Sequence, residues 1–332
     1  MGHDPQKMLD LIRFLPHEIR EAAEFPIPEP WPERPKMVVF CGMGGSGVAG
    51  EICKILGEDQ SVPFWIHKDY GIPSFVDEHT WVITTSYSGN TEETLSSYKV
   101  ALEKGAKVLA ISSGGKLGEW AKRDGVPWIE VPSGFPPRTA LGYLWTPIAR
   151  FLQRAGLLPE WDWQALAAFL ESRQSDLEKS DSIAKDLADK FYLRIPVFYA
   201  SRQFFPIAER WRSQLNENSK AVVHTAMLPE MNHNEITGII HPEDLVEELW
   251  VVFLEFSQDH DRVKRRIRET QDLISEAVMG TTLFHPQGET LVEEVFDAIY
   301  TGDYISYFLA LNYGVDPIAI PRIDELKRRM SQ

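Results

Sequence analysis

Cysteine is nearly absent from this chain of 332 residues; it occurs twice, as Cys41 and Cys53. Both stand among apolar residues of one strand–helix stretch, and they form neither a disulfide framework nor a zinc spacing, so they read as buried thiols. Long apolar runs are missing too, so nothing in the chain reads as a bilayer span. The N-terminal stretch carries Asp4, Lys7, Asp10 and Arg13 and does not read as a signal peptide. Positive charge is in deficit: 34 Lys and Arg face 49 Asp and Glu, a net charge of −15. That balance argues against nucleic acid and anionic membranes as partners. It also means that an anionic ligand needs a local pocket rather than a global field. A reduced, cytoplasmic setting is the expectation.

Hydrophobic residues make up 43% of the chain, enough for real cores. The length suits two domains of roughly 150 residues each. Apolar positions over 8–25 predict an amphipathic helix broken or kinked at Pro16. Pro26, Pro28, Pro30, Pro32 and Pro35 form an extended spacer. From Lys36 short apolar strands alternate with helices, with strands expected near 36–41, 64–67, 80–85, 107–111 and 128–131. A boundary is expected over 156–163. A second alternation follows, with strands near 194–200, 221–225 and 249–255, and a short basic helix from Ile323 to Met330. The reading is therefore α/β, with two αβα sandwich subdomains built on mainly parallel sheets. Its divisions are 1–35, 36–160 and 161–332.

The first strand, Val38-Val39-Phe40-Cys41, runs into Gly42-Met43-Gly44-Gly45-Ser46-Gly47, with a helix expected from Val48. Glycines at such a junction bring backbone N–H groups and a helix N-terminus up to an anion. Gly42, Gly44 and Gly47 also satisfy G-x-G-x-x-G, and Asp69 stands where a ribose-binding acid would, so a dinucleotide is one candidate ligand. Against it stands the end of the third strand, Ser86-Tyr87-Ser88-Gly89-Asn90-Thr91. Three hydroxyls at a helix start suit a phosphate monoester. Capping of the helix by Ser88 or Asn90 is the structural alternative.

These two segments resemble the sugar isomerase (SIS) domain, which binds phosphosugars. Two more extend the likeness: Pro132-Ser133-Gly134 with Pro137-Arg138-Thr139-Ala140-Leu141-Gly142-Tyr143, and Asn216-Glu217-Asn218-Ser219-Lys220 with Pro229-Glu230-Met231-Asn232-His233-Asn234-Glu235. Together they resemble the bifunctional phosphoglucose/phosphomannose isomerases of the phosphoglucose isomerase superfamily, across both halves and the tail.

The resemblance implies an aldose–ketose isomerase that needs no cofactor. It would interconvert glucose 6-phosphate and mannose 6-phosphate with fructose 6-phosphate through a cis-enediol(ate). Glu217 is then the base that moves the proton between C1 and C2, and His233, typically supplied by the second subunit of a homodimer, opens the sugar ring. Arg138 stabilises the enediolate, and Lys327 reaches the ring-opening end. The substrate phosphate falls to Ser46, Ser86, Ser88 and Thr91, with backbone amides from Gly45 and Gly89. His224, His233 and Glu235 fit no standard zinc spacing, so no metal is expected. Arg202, Arg210 and Arg212 read as ion-pair formers. The alternatives are a non-catalytic phosphosugar sensor and an isomerase of another sugar phosphate.

Overall fold

The structure is a computed structural model and describes residues 5–330. Two helices come first, α1 (Pro5–Arg13) and α2 (Leu15–Ala22). Pro16 lies in the first turn of α2, where its missing N–H costs nothing, so the expected single helix becomes two. The chain forms two compact units: one is Phe14–Glu171, and the other joins α1 to the chain from Ser172 onward.

In the first unit five strands alternate with helices: β1 (Met37–Cys41), α3 (Gly44–Leu56), β2 (Phe64–His67), β3 (Thr80–Thr85), α4 (Glu92–Glu103), β4 (Lys107–Ser112), α5 (Gly115–Asp124) and β5 (Trp128–Glu130). They pair in parallel in the order β2-β1-β3-β4-β5. Every residue of β3 is buried, as a central parallel strand covered on both faces requires. After β5 a tight turn, Pro137–Thr139, leads into α6 (Leu141–Arg154), which packs against α2 and α3. Burial pushes the Cys41 thiol up to about 12, and Cys53 is fully buried, so both behave as inert packing groups.

Helix α7 (Trp163–Leu177) leads into the second unit, which contains α8 (Ile183–Phe191), β6 (Ile195–Ser201), α9 (Phe205–Gln214), β7 (His224–Leu228), α10 (Glu235–Gly238), α11 (Glu243–Val246), β8 (Leu249–Leu254), α12 (Asp261–Ile274), β9 (Gly280–Phe284), α13 (Leu291–Tyr313) and α14 (Pro321–Met330). Its parallel order is β7-β6-β8-β9. Helix α13 is buried on nearly every face and packs on α1, α8 and α9, which makes it the axis of this unit. A capping box of Thr290 and Glu293 starts it, and left-handed Gly314 ends it.

Two sequence expectations are corrected here and one strand is added. Helix α3 starts at Gly44, not Val48. β7 starts at His224, not Ala221, because Lys220 is left-handed (φ 59°) and the chain reaches the sheet only four residues after it. β9 was not expected at all. The described helices include none long and apolar enough to cross a membrane.

Candidate active site

In the first sheet the strand order reverses between β1 and β3, and ligands of open α/β sheets bind outside the carboxyl ends of strands at such a point. The two loops there are those carrying Gly42–Gly47 and Ser86–Thr91. Because α3 begins at Gly44, the N–H groups of Gly44 and Gly45 lie in its first turn and have no acceptor within the helix. Those of Ser46 and Gly47 bond Met43 O (3.0 and 3.2 Å). No acidic residue occupies that first turn, whereas α4 carries Glu92 and Glu93 in its own. The positive end of α3 is therefore the better anion site.

Tyr87 ties the loops together. Its N–H donates to Ser46 Oγ (3.0 Å), and its carbonyl accepts from Ser113 N (2.9 Å) and Ser113 Oγ (2.7 Å). Its hydroxyl donates to Pro132 O (2.9 Å) and accepts from Phe135 N (2.9 Å). One buried tyrosine thus joins the ends of β1, β3, β4 and β5. In the sequence its only signal is an aromatic residue inside a hydroxyl cluster. Tyr87→Phe should leave the fold intact but loosen the loop that leads to Arg138. The expected result is a kcat several-fold lower with a smaller change in KM, read by steady-state kinetics beside a thermal melt.

Ser86 is buried and its Oγ lies 2.9 Å from Thr91 Oγ1. Thr91 is the N-cap of α4, yet its side chain makes no capping bond. Asn90 turns instead toward α5, accepting from Lys116 N (3.2 Å). The capping alternative is therefore not what these hydroxyls do. Ser88 is exposed, and its Oγ accepts from Asn90 N (3.2 Å).

The Gly89 amide, expected at the phosphate, donates to Ser86 O (2.9 Å) and closes the turn. Glycine is required there because φ is +68° and a Cβ would lie 1.9 Å from Gly114 O. At Gly45 the need is space, since a Cβ would lie 2.8 Å from Arg138 Cα. That approach brings Arg138, buried within its tight turn, against the glycine loop. The first unit therefore gathers Gly45, Ser46, Ser86, Ser88, Gly89, Thr91 and Arg138 into one region.

Glu217, His233 and Lys327 belong to the second unit, on three separate elements. Glu217 lies half-buried in a π-helical turn, Leu215–Ser219, that extends α9. Such wide turns recur at functional sites. The turn is latched to α13: Asn218 Nδ2 donates to Ser306 Oγ (2.9 Å) and Ser219 Oγ to Ser306 O (2.7 Å), all three residues being buried. Lys220 Nζ caps the turn's carbonyls, donating to Glu217 O (2.6 Å) and Asn218 O (3.2 Å). Below it, Asp303 accepts from Arg210 (2.7 and 3.0 Å) and Gln214 (2.6 Å). Arg210 and Arg212 thus form ion pairs as expected, the latter with Glu209.

His233 is exposed at the end of a 3₁₀ turn, Glu230–His233, and Lys327 is exposed on α14. Glu235, which starts α10 directly after that turn, is tied to the sheet, since Tyr199 OH donates to it at 2.6 Å and His224 Nε2 lies 2.8 Å away. The hydrogen bond to Glu235 raises the pKa of His224. For Glu235, burial pushes upward, but the bonds from His224 and Tyr199 outweigh it and leave the carboxyl below its usual range. The raised histidine contributes stability in full below about pH 6.5, its unfolded value, and loses it as pH climbs through the folded value. The lowered carboxyl contributes above about pH 4.3 and loses it as pH falls. His224→Gln should therefore flatten the loss of stability between pH 6 and 8, as measured by urea midpoints across that range.

Comparison with known proteins places these observations. The model for the bacterial phospho-glucose isomerase C-terminal SIS domain matches residues 180–330. A bifunctional phosphoglucose/phosphomannose isomerase of Caldicellulosiruptor bescii is 38% identical over 303 residues, 89% of each chain. Another of the same description, from Aquifex aeolicus, is 37% identical over 90% of this chain and 91% of its own. A D-glucosamine-6-phosphate 4-epimerase of Sulfolobus acidocaldarius is 35% identical, over 64% of this chain and 70% of its own. Among solved structures, a hypothetical protein from Thermus thermophilus superposes with a TM-score of 0.75 at 16% identity, covering 99% of this chain and 91% of that one.

Proposed function

Because the chain belongs to the family of bifunctional phosphoglucose/phosphomannose isomerases, we propose that it interconverts glucose 6-phosphate and mannose 6-phosphate with fructose 6-phosphate. The observation that carries this is the amide- and hydroxyl-lined cradle at the β1/β3 reversal. The N-terminus of α3, with the Gly45 amide and the hydroxyls of Ser46, Ser86, Ser88 and Thr91, receives the phosphate. Gly89 shapes this cradle without donating to it.

Isomerisation moves a proton between C1 and C2. Glu217 takes it from one carbon and returns it to the other, and Arg138 balances the charge that develops on the enediolate oxygen. His233, helped by Lys327, transfers the proton that opens the ring. Glucose and mannose phosphates differ only at C2, so one base serves both if the enediol turns about C2–C3. No cofactor is required by this chemistry. The two buried thiols suit a reducing compartment such as the cytoplasm.

His233 and Lys327 are exposed on their own unit, which favours delivery of His233 into the site of a second copy in a homodimer. An equimolar mixture of Glu217→Gln and His233→Ala proteins, allowed to exchange subunits, should then recover up to about a quarter of wild-type activity, from the fraction of sites that receive both intact groups. No recovery after demonstrated exchange overturns the shared site. The isomerase reading itself is tested by supplying fructose 6-phosphate alone and following glucose 6-phosphate and mannose 6-phosphate by NMR. Both should form, and unchanged substrate refutes the reading. Galactosamine 6-phosphate formed from glucosamine 6-phosphate, with fructose 6-phosphate inert, would point to the epimerase relative instead.

A further inference from the structure

Helix α12 places Arg262, Arg265 and Arg266 at spacings of three and four residues, so the three guanidinium groups rise from one face. With Asn232, Ile236 and Leu273 they line a cavity of about 390 Å³ in the second unit. This concentration of positive charge occurs in a chain of net charge −15. Glu269 is the one carboxylate in the lining, and it pairs with Arg265 at 3.4 Å with both side chains more than 60% exposed. An ion pair of that kind is weak and yields to a better partner. Among the described residues, Arg262 and Arg266 have no carboxylate partner. The turn that carries Asn232 is tied to the same helix, because Asn232 Nδ2 donates to the buried Thr270 Oγ1 at 2.7 Å.

Guanidinium groups recognise phosphate oxygens through paired N–H donors, and a cavity of this size holds a small metabolite rather than a macromolecular segment. We propose that this cavity binds a compact phosphate-bearing metabolite, a phosphate monoester or pyrophosphate, at a site separate from the substrate cradle of the first unit. Asn232 immediately precedes His233, so the ligand would rest against the turn that carries that histidine.

The test is calorimetric titration of the full chain with pyrophosphate. Three proteins are compared: wild type, a cradle variant (Ser46→Ala with Thr91→Ala) and a cavity variant (Arg262→Gln, Arg265→Gln and Arg266→Gln together). Binding should persist in the cradle variant, weaken at least tenfold in the cavity variant, and fall with added salt. Should the triple variant melt early, Arg266→Gln alone should still weaken binding at least threefold. Equal affinity in wild type and cavity variant, loss of binding in the cradle variant only, or no binding to any of the three overturns the proposal. Because the readout is binding, it fails or succeeds independently of the isomerase reading.

Discussion

Glu217→Gln should lower kcat for fructose 6-phosphate by about 10²- to 10⁴-fold, the usual worth of a positioned general base, while KM changes little. The amide keeps the size of the carboxylate but accepts no proton. Asn218, Ser219 and Lys220 hold the π-helical turn to its neighbours. The variant should therefore melt within about a degree of wild type. Ser46→Ala makes the contrast: losing one hydroxyl from the cradle should raise KM more than it lowers kcat. Gly45→Ala should not behave like Ser46→Ala, because a Cβ 2.8 Å from Arg138 Cα displaces the arginine's backbone and brings kcat down as well. A Glu217→Gln protein with full kcat removes this residue from the chemistry.

Asp303→Ala should be the most damaging substitution for stability, by about 3–5 kcal/mol in urea unfolding. It removes the carboxylate that accepts from the Arg210 guanidinium, 3% exposed, and from the Gln214 amide. Burying an uncompensated charge costs far more than an ion pair of this kind contributes when intact. Replacing both partners, Arg210→Met with Asp303→Leu, should therefore be less destabilising than the single change. The effect reaches the site, because Asp303 anchors α9, and α9 continues into the turn that holds Glu217. Residual activity of Asp303→Ala at low temperature should thus fall below what its folded fraction explains.

Much of this architecture is written locally. The first sheet follows from short apolar runs bounded by turn residues, and buried parallel strands leave little else for such runs to do. Where burial is partial the signal fades. Gly280-Thr281-Thr282-Leu283-Phe284 is an edge strand of mostly half-buried residues and carries no continuous apolar run. Ala221-Val222-Val223 is apolar and holds two β-branched valines yet lies outside β7, with Val222 77% exposed, because left-handed Lys220 sets where the chain can enter the sheet. The start of α3 at Gly44 is hidden in the sequence because four of its first seven residues are glycine, a poor helix former that an anion-binding helix N-terminus nevertheless uses. The hydroxyl cluster was legible because several hydroxyls at one strand end exceed what a cap needs. The coupling through Tyr87 and the latch of the Glu217 turn onto Ser306 are not, since they join residues 26 to 88 positions apart.

The most direct test of the account is the fate of solvent deuterium. Fructose 6-phosphate incubated with the enzyme in deuterated water, without added metal or nucleotide, should give glucose 6-phosphate and mannose 6-phosphate that both carry deuterium at C2. The Glu217→Gln protein should give neither on the same timescale. Products free of deuterium at C2 would mean that hydrogen passes from C1 to C2 without exchanging with solvent, either as hydride or on a carboxylate sealed from water. Unchanged fructose 6-phosphate would mean that the cradle serves another reaction.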